Sequence, residues 1–192
     1  MTESLPARLL SYRGPEDDPE LGSAEWSSAV SVLIRTSDGD PRLLFIRRAR
    51  NPRDPWSGHM ALPGGRREAS DGSLLDTAIR ETREEVGLEL TAGARLMGRL
   101  DVVTPLSPRL PRLMVVPFVF ALPPEMEPAL GSPEVAELIW APLEDLRDPS
   151  REAVFRYVRR SGSTDFPAYR VSGGTVWGLT HRIVSGLLAR LD

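Results

Sequence analysis

Cysteine and lysine are both absent from the 192-residue chain. Without cysteine there is no disulfide, no thiolate nucleophile and no cysteine metal site. Without lysine there is no lysine nucleophile or Schiff base. All 24 basic side chains are therefore arginines. The planar guanidinium suits phosphates and carboxylates, but its use throughout reads as coding bias and marks no site. Basic surplus is also missing: 24 arginines face 27 acidic residues, a formal charge of −3, which argues against a nucleic-acid partner. No apolar run approaches the roughly 18 residues of a membrane span, so no membrane partner is expected. The opening MTESLPARLLSYRGPEDDPELG lacks an apolar signal core, and Glu16, Asp17, Asp18 and Glu20 fit poorly with a transit peptide. A cytoplasmic location is the expectation.

What remains is a composition of 41% hydrophobic and 27% charged residues, ordinary for a globular core, at a length that suits one domain. Residues 1–25, with Gly14-Pro15, an acidic run and Gly22, read as a peripheral N-terminal arm, and 26–192 as the domain. Strands are expected at 29–35 and 42–48, joined by a turn at Ser37-Asp38-Gly39-Asp40-Pro41. Residues 51–65 carry Pro52, Pro55, Gly58 and Pro63 and read mostly as loop. A helix is expected from about Ser73, its N-cap, to Val86, with Gly87 as its stop. Further strands are expected at 96–103, 113–120 and 137–140, a helical turn at 142–146, and an amphipathic helix at 180–191. Residues 154–159 are ambiguous. Short strands with two or three helices indicate an α+β or layered α/β domain with a mixed sheet.

The segment LPGGRREASDGSLLDTAIRETREEVGL, residues 62–88, carries the chemistry. On a helix, Leu75, Ala78, Ile79, Thr82 and Val86 share one face, which should be buried. Glu81, Glu84 and Glu85 share another arc. Glu84 has Arg80 four positions away, while Glu81 and Glu85 have no cation at helical spacing to relieve their repulsion. A solvated acidic face is the simple account. Against it stands Pro63-Gly64-Gly65, whose backbone can approach a neighbour closely. Clustered carboxylates beside a backbone carbonyl make the all-oxygen environment that Mg²⁺ or Mn²⁺ takes. Arg47, Arg48, Arg50, Arg53, Arg66 and Arg67 crowd the same stretch, as a charged diphosphate would require.

This segment resembles the Nudix box: Gly65, then Arg80-Glu81-Thr82-Arg83-Glu84-Glu85-Val86-Gly87-Leu88, the helix half keeping the box's internal spacing. One residue more than usual separates Gly65 from Arg80. Asp71 stands where glutamate is usual, and Thr82 replaces an aliphatic residue. The resemblance implies a Nudix-like α/β/α sandwich with a mixed β-sheet, and hydrolysis of a nucleoside diphosphate linked to another group. It implies Mg²⁺ or Mn²⁺ held by Glu81 and Glu85, with Glu84 and the Gly65 carbonyl as further ligands. Glu84 would also orient the attacking water, and Arg80 would hold the glutamates. It assigns no settled role to Asp71.

Three other segments resemble the coenzyme A pyrophosphatase branch of that family. They are Leu43-Leu44-Phe45 with Arg47 and the loop ending Leu62-Pro63-Gly64-Gly65; Val116-Pro117-Phe118-Val119; and Val176-Trp177-Gly178-Leu179-Thr180-His181-Arg182. Coenzyme A or an acyl derivative is therefore the first expected substrate, with Arg47, Arg48, Arg50 and Gly64 contacting it. ADP-ribose, a nucleotide sugar, another nucleotide, or a non-catalytic ligand-sensing role are the alternatives, and a homodimer is compatible with all of them. An additional catalytic carboxylate would come from Glu125, Glu127 or Glu134. His59 is expected to be a loop or packing histidine rather than a general base, His181 to cap or face solvent, and Trp177 to pack in the core. For Trp56, packing and stacking on an adenine stand level.

Overall fold

The computed structural model describes residues 5–20, 26–37, 39–54, 56–105, 113–159 and 162–191; Gly22, Asp38 and Pro55 lie outside them. Strands β1 (Trp26–Ser37) and β2 (Asp40–Arg48) pair antiparallel, with Ser37 opposite Asp40 and Ile34 opposite Leu43. Two short strands follow, β3 (Met60–Ala61) on β2 and β4 (Gly64–Arg66) on β1. Helix α2 (Leu74–Val86) comes next, α1 (Leu5–Ser11) having preceded β1. Strand β5 (Arg95–Arg99) borders β6 (Leu113–Leu122), which runs parallel to β1, and β7 (Val135–Pro142) pairs along β2. The sheet is mixed and runs β3-β2-β1-β6-β5, with β4 and β7 joined to β1 and β2.

Period-two alternation sorts this sheet into two cores. Val32, Ile34, Leu43, Phe45 and Val119 point one way, against Leu9 of α1 and Ile183, Val184, Leu187, Leu188 and Leu191 of α4 (Gly178–Leu191). Leu143 and Leu146 of α3 (Leu143–Arg147) join them. Ala29, Leu33, Leu44, Ile46, Phe118 and Phe120 point the other way, against Leu74, Ala78 and Val86 of α2. A mixed sheet between helices is the architecture that the resemblance implies. Each fully buried leucine or phenylalanine contributes about 1.5–3 kcal/mol.

The second sheet, β10-β9-β8, departs from expectation. Strand β8 (Glu152–Arg159) resolves the ambiguous stretch, and β9 (Gly162–Val171) and β10 (Gly174–Trp177) lack a sequence signal. Ser163, Thr164, Asp165 and Pro167 leave β9 without apolar alternation, so the ladder with β8 makes it a strand. Likewise β4 is Gly64-Gly65-Arg66, extended because it pairs with β1. The expected strand 96–103 ends at Arg99, and Val103 makes only an isolated bridge to Val115.

The N-terminal segment is well fastened. Leu9 is buried, the Gly14 N–H donates to the Met97 carbonyl at 2.8 Å, and the Arg99 N–H donates to the Pro15 carbonyl at 2.6 Å. Asp18 accepts the Leu74 N–H with both carboxylate oxygens, at 3.0 and 2.9 Å. A negative charge there complements the first turn of α2. Ser73 caps the same turn, its hydroxyl accepting the Asp76 N–H at 3.0 Å, and Gly87 closes the helix at φ 67°.

Candidate active site

Helix α2 is anchored by buried polar contacts as well as by apolar ones. Thr82, which stands where an aliphatic residue was usual, donates its hydroxyl to Ser31 Oγ at 2.7 Å, and Ser31 Oγ donates to the Ala78 carbonyl at 3.3 Å. The substitution thus leaves no unsatisfied group, the condition for burying a hydroxyl. The Ser31 N–H donates to the Pro63 carbonyl at 2.8 Å, drawing the Pro63-Gly64-Gly65 turn onto β1. Gly64 sits at φ 149°, and a Cβ there would lie 2.3 Å from the Ala29 carbonyl. Only glycine fits this close approach.

That turn meets the acidic arc. The Gly64 N–H donates to Glu85 Oε2 at 2.9 Å, and Glu85 is only 6% exposed. The simple account of a solvated acidic face fails here, because the buried face of α2 is turned further than its apolar pattern indicates. Leu74, Thr77 and Glu85 join Ala78, Thr82 and Val86 inside, while Leu75 and Ile79 are only partly buried. Burial pushes the Glu85 carboxyl up to about 7; repulsion from Glu81 and Glu134 adds to this, and the Gly64 N–H and the Arg48 charge oppose it. Burial also raises Glu81, against the pull of Arg80. Glu84 remains half exposed.

Arg80 corrects the expectation that Glu81 lacks a cation. Its Nη1 donates to Glu81 Oε1 at 3.0 Å and to Glu84 Oε2 at 3.3 Å. Its principal partner is Asp71, which accepts Nε on Oδ1 at 2.9 Å and Nη2 on Oδ2 at 3.0 Å. Asp71 also accepts the Thr77 hydroxyl and the Glu68 N–H, each at 2.9 Å. The Arg80 bonds, with these two added, hold its carboxyl well below the usual range. Sequence spacing had offered Glu84 as the partner of Arg80, because helical rules see only i,i+3 and i,i+4 neighbours. The loop that folds back nine residues earlier is invisible to them.

An ion fits this site by donor chemistry. Glu81 rests against the Gly65 α-carbon, a Cβ there falling 2.4 Å from Glu81 Oε1. Two carboxylates, one of them buried and repelled by the other, beside a glycine backbone are hard oxygen donors with unbalanced charge. As placed, the three glutamates do not converge on one point, and among the described residues no three acidic or histidine side chains form a ready-made cage.

The candidate substrate arginines are differently placed. Arg47 Nε donates to Glu137 Oε2 at 2.8 Å and its Nη2 to the Gly173 carbonyl. Arg48 donates to Asp54 Oδ2 from Nε at 2.9 Å and Nη2 at 2.7 Å. Arg50 is exposed. Of the three candidate carboxylates, Glu127 pairs with Arg35 at 2.5 Å, Glu125 is exposed, and Glu134 lies near enough for its charge to act on Glu85. His181 is partly exposed and stacks on Tyr169, centroids 4.4 Å apart. Trp177 lies outside both cores, and Trp56 is 47% exposed.

In fold, the chain superposes on a MutT/nudix family protein from Enterococcus faecalis with a TM-score of 0.61 at 19% identity, over 92% of this chain and 66% of the other. In sequence, it is 45% identical to the uncharacterized protein C14C4.10c of Schizosaccharomyces pombe over 74% of this chain and 42% of that one. It is 30% identical to the uncharacterized Nudix hydrolase NudL of Yersinia enterocolitica over 92% and 88%. It is also 30% identical to the human mitochondrial coenzyme A diphosphatase NUDT8, over 80% and 64%. The chain spans about half the length of several of its curated relatives. Residues 25–161 match the NUDIX domain, and the chain belongs to the Nudix family.

Proposed function

We propose that the protein is a divalent-metal-dependent diphosphatase acting on a nucleoside diphosphate derivative, with coenzyme A or an acyl-coenzyme A as substrate and 3′,5′-ADP and a phosphopantetheine as products. The carrying observation is the buried Glu85 carboxylate beside Glu81, held against Gly64 and Gly65 with its charge unbalanced. Such a charge is costly in an apoprotein and is offset when a cation binds.

Glu81 and Glu85 would hold Mg²⁺ or Mn²⁺, with the Gly65 carbonyl and Glu84 nearby. The ion, when bound, polarises phosphoryl oxygens and lowers the pKa of a water. Arg80, pinned by Asp71, fixes the Glu81 carboxylate and limits its rotamers. The Gly64 N–H fixes one oxygen of Glu85, leaving the other for the ion. Glu134, whose charge acts on Glu85, is of the three candidates the one that would serve as the additional carboxylate and accept a proton from the attacking water. Arg48, braced by Asp54 and close enough for its charge to act on Glu85, would meet the diphosphate with positive charge, and the exposed Arg50 would meet an outer phosphate.

Coenzyme A is supported by the likeness to the human coenzyme A diphosphatase, by the Leu43-Leu44-Phe45 segment, and by the arginines available to a third phosphate. The test compares coenzyme A, its 3′-dephospho form and ADP-ribose side by side with Mg²⁺ and with Mn²⁺. Coenzyme A should lead, and loss of the 3′-phosphate should lower kcat/KM about tenfold to a hundredfold. Equal or better rates on ADP-ribose overturn the coenzyme A assignment and leave the diphosphatase chemistry standing.

A further inference from the structure

Four aromatic side chains on the second sheet, with His59, form a cluster that belongs to neither buried core. Trp177 of β10 is its hub. Phe155 of β8 stacks on it at 4.3 Å between centroids and 15° between planes. Tyr157 lies at 5.4 Å and 31°, and Phe166 at 5.2 Å and 48°. His59 stands edge-on to Phe155, Tyr157 and Trp177, with interplanar angles of 78°, 75° and 76°. All five rings are partly exposed. The near-parallel Phe155–Trp177 pair, partly exposed and flanked by a perpendicular imidazole, offers ring surface to a further flat ring.

The cluster adjoins the candidate active site through β2 and its loop. The Arg48 N–H donates to the His59 carbonyl at 3.0 Å, and the Gly58 N–H to the Arg48 carbonyl at 3.1 Å. The Arg48 charge acts on both Glu85 and His59. His59 lies five chain steps before Gly64, a reach of at most about 18 Å. From the other side, Arg47 donates to the Gly173 carbonyl in the turn before β10, which ties the second sheet to the same strand.

We infer that Phe155, Tyr157, Trp177 and His59 are the specificity wall of this site, and that they receive the nucleobase of the substrate by stacking. The inference rests on the diphosphatase reading and deepens it by naming the substrate group recognised beyond the diphosphate. An aliphatic arm would gain from any apolar surface, whereas near-parallel rings favour a planar partner. A base placed there brings its 5′-phosphates back toward Arg48 and Glu85. Phe155 and Tyr157 are thus binding residues that leave the carboxylate chemistry untouched.

The test is binding of adenosine 5′-monophosphate and of ribose 5-phosphate to the intact protein in EDTA, by calorimetry and by saturation-transfer NMR on the base protons. The base protons should receive saturation, and ribose 5-phosphate should bind at least tenfold more weakly. Phe155→Leu keeps apolar volume and loses the ring face, so it should lower adenosine monophosphate affinity about tenfold or more with Tm nearly unchanged. Should that variant not fold, Tyr157→Leu supplies the same comparison. No binding by the wild type, equal binding of the two ligands, or wild-type affinity in the folded leucine variant overturns the inference. Base binding lost in the leucine variants, together with no hydrolysis of any diphosphate, sinks the diphosphatase reading and leaves the wall standing.

Discussion

Asp71 and Arg80 face each other in a two-point ion pair, Nε on Oδ1 at 2.9 Å and Nη2 on Oδ2 at 3.0 Å. The pair makes Arg80 a brace between the loop after Gly65 and the acidic arc of α2, because its remaining nitrogen reaches Glu81 and Glu84. Lysine cannot reproduce this, having one charged nitrogen and no planar fork. Arg80→Lys should therefore fold, with Tm within a few degrees, and lose at least about tenfold in kcat/KM. Normal turnover in a folded Lys variant would reduce Arg80 to a structural partner of Asp71 with no part in positioning the glutamates.

The same pair makes stability depend on acid. The Asp71 carboxyl titrates lower in the folded chain than its ordinary value, chiefly through its Arg80 hydrogen bonds. Its contribution is thus complete above about pH 4 and is lost as pH falls through the folded value. Asp71→Asn should cost about 3 kcal/mol at pH 7, since it leaves a largely buried arginine less well paired. The gap between the two proteins should narrow steadily below pH 4. Urea midpoints from pH 7 down to pH 2.5 check this; a constant gap would show that Asp71 acts by shape alone.

The adjacent glycines should respond differently. A Cβ on Gly64 strikes the Ala29 carbonyl and the Val30 α-carbon, at a backbone angle that favours glycine. Gly64→Ala should lower stability severely, by about 3 kcal/mol or more. The three atoms nearest a Cβ on Gly65 all belong to the Glu81 carboxylate, a side-chain end that can give way by breaking its Arg80 contact, where the backbone at Ala29 cannot. Gly65→Ala should keep its fold and lose its stabilisation by Mg²⁺. Thermal melts of both variants with and without the ion decide it, and equal behaviour of the two would contradict the geometry.

Thr82→Val removes a hydroxyl whose partner, Ser31, is fully buried. The expected loss is about 1–2 kcal/mol with kcat unchanged. Thr82→Val with Ser31→Ala should restore part of it, which a double-mutant cycle on denaturation midpoints would read directly.

These residues also show what the sequence makes legible. Helix α2, its Ser73 cap and its Gly87 stop follow from local rules, as do the β1–β2 hairpin and the apolar face of α4. The glutamates stand out because their spacing is helical. The contacts that finish the site are long-range in chain and so leave no periodic signal. Asp71 reaches Arg80 across a loop, Ser31 reaches Thr82 from another strand, and Asp18 caps α2 from the N-terminal segment. Strand β9 escaped for a related reason: its polar residues become a strand only against β8. The burial of Glu85 was hidden because hydrophobic patterning cannot anticipate a carboxylate turned inward toward a backbone amide.

The account depends above all on Glu85 as a carboxylate placed for an ion rather than for the fold. The most direct measurement is turnover of coenzyme A with Mg²⁺ by the wild type and by Glu85→Gln, with 3′,5′-ADP release followed by chromatography and the apo Tm recorded for each. Glutamine keeps the shape and an acceptor for the Gly64 N–H while removing the buried charge. The account predicts an apo Tm equal to or above that of the wild type, with turnover reduced about a hundredfold or more. Turnover near wild type in the folded Gln variant would contradict it.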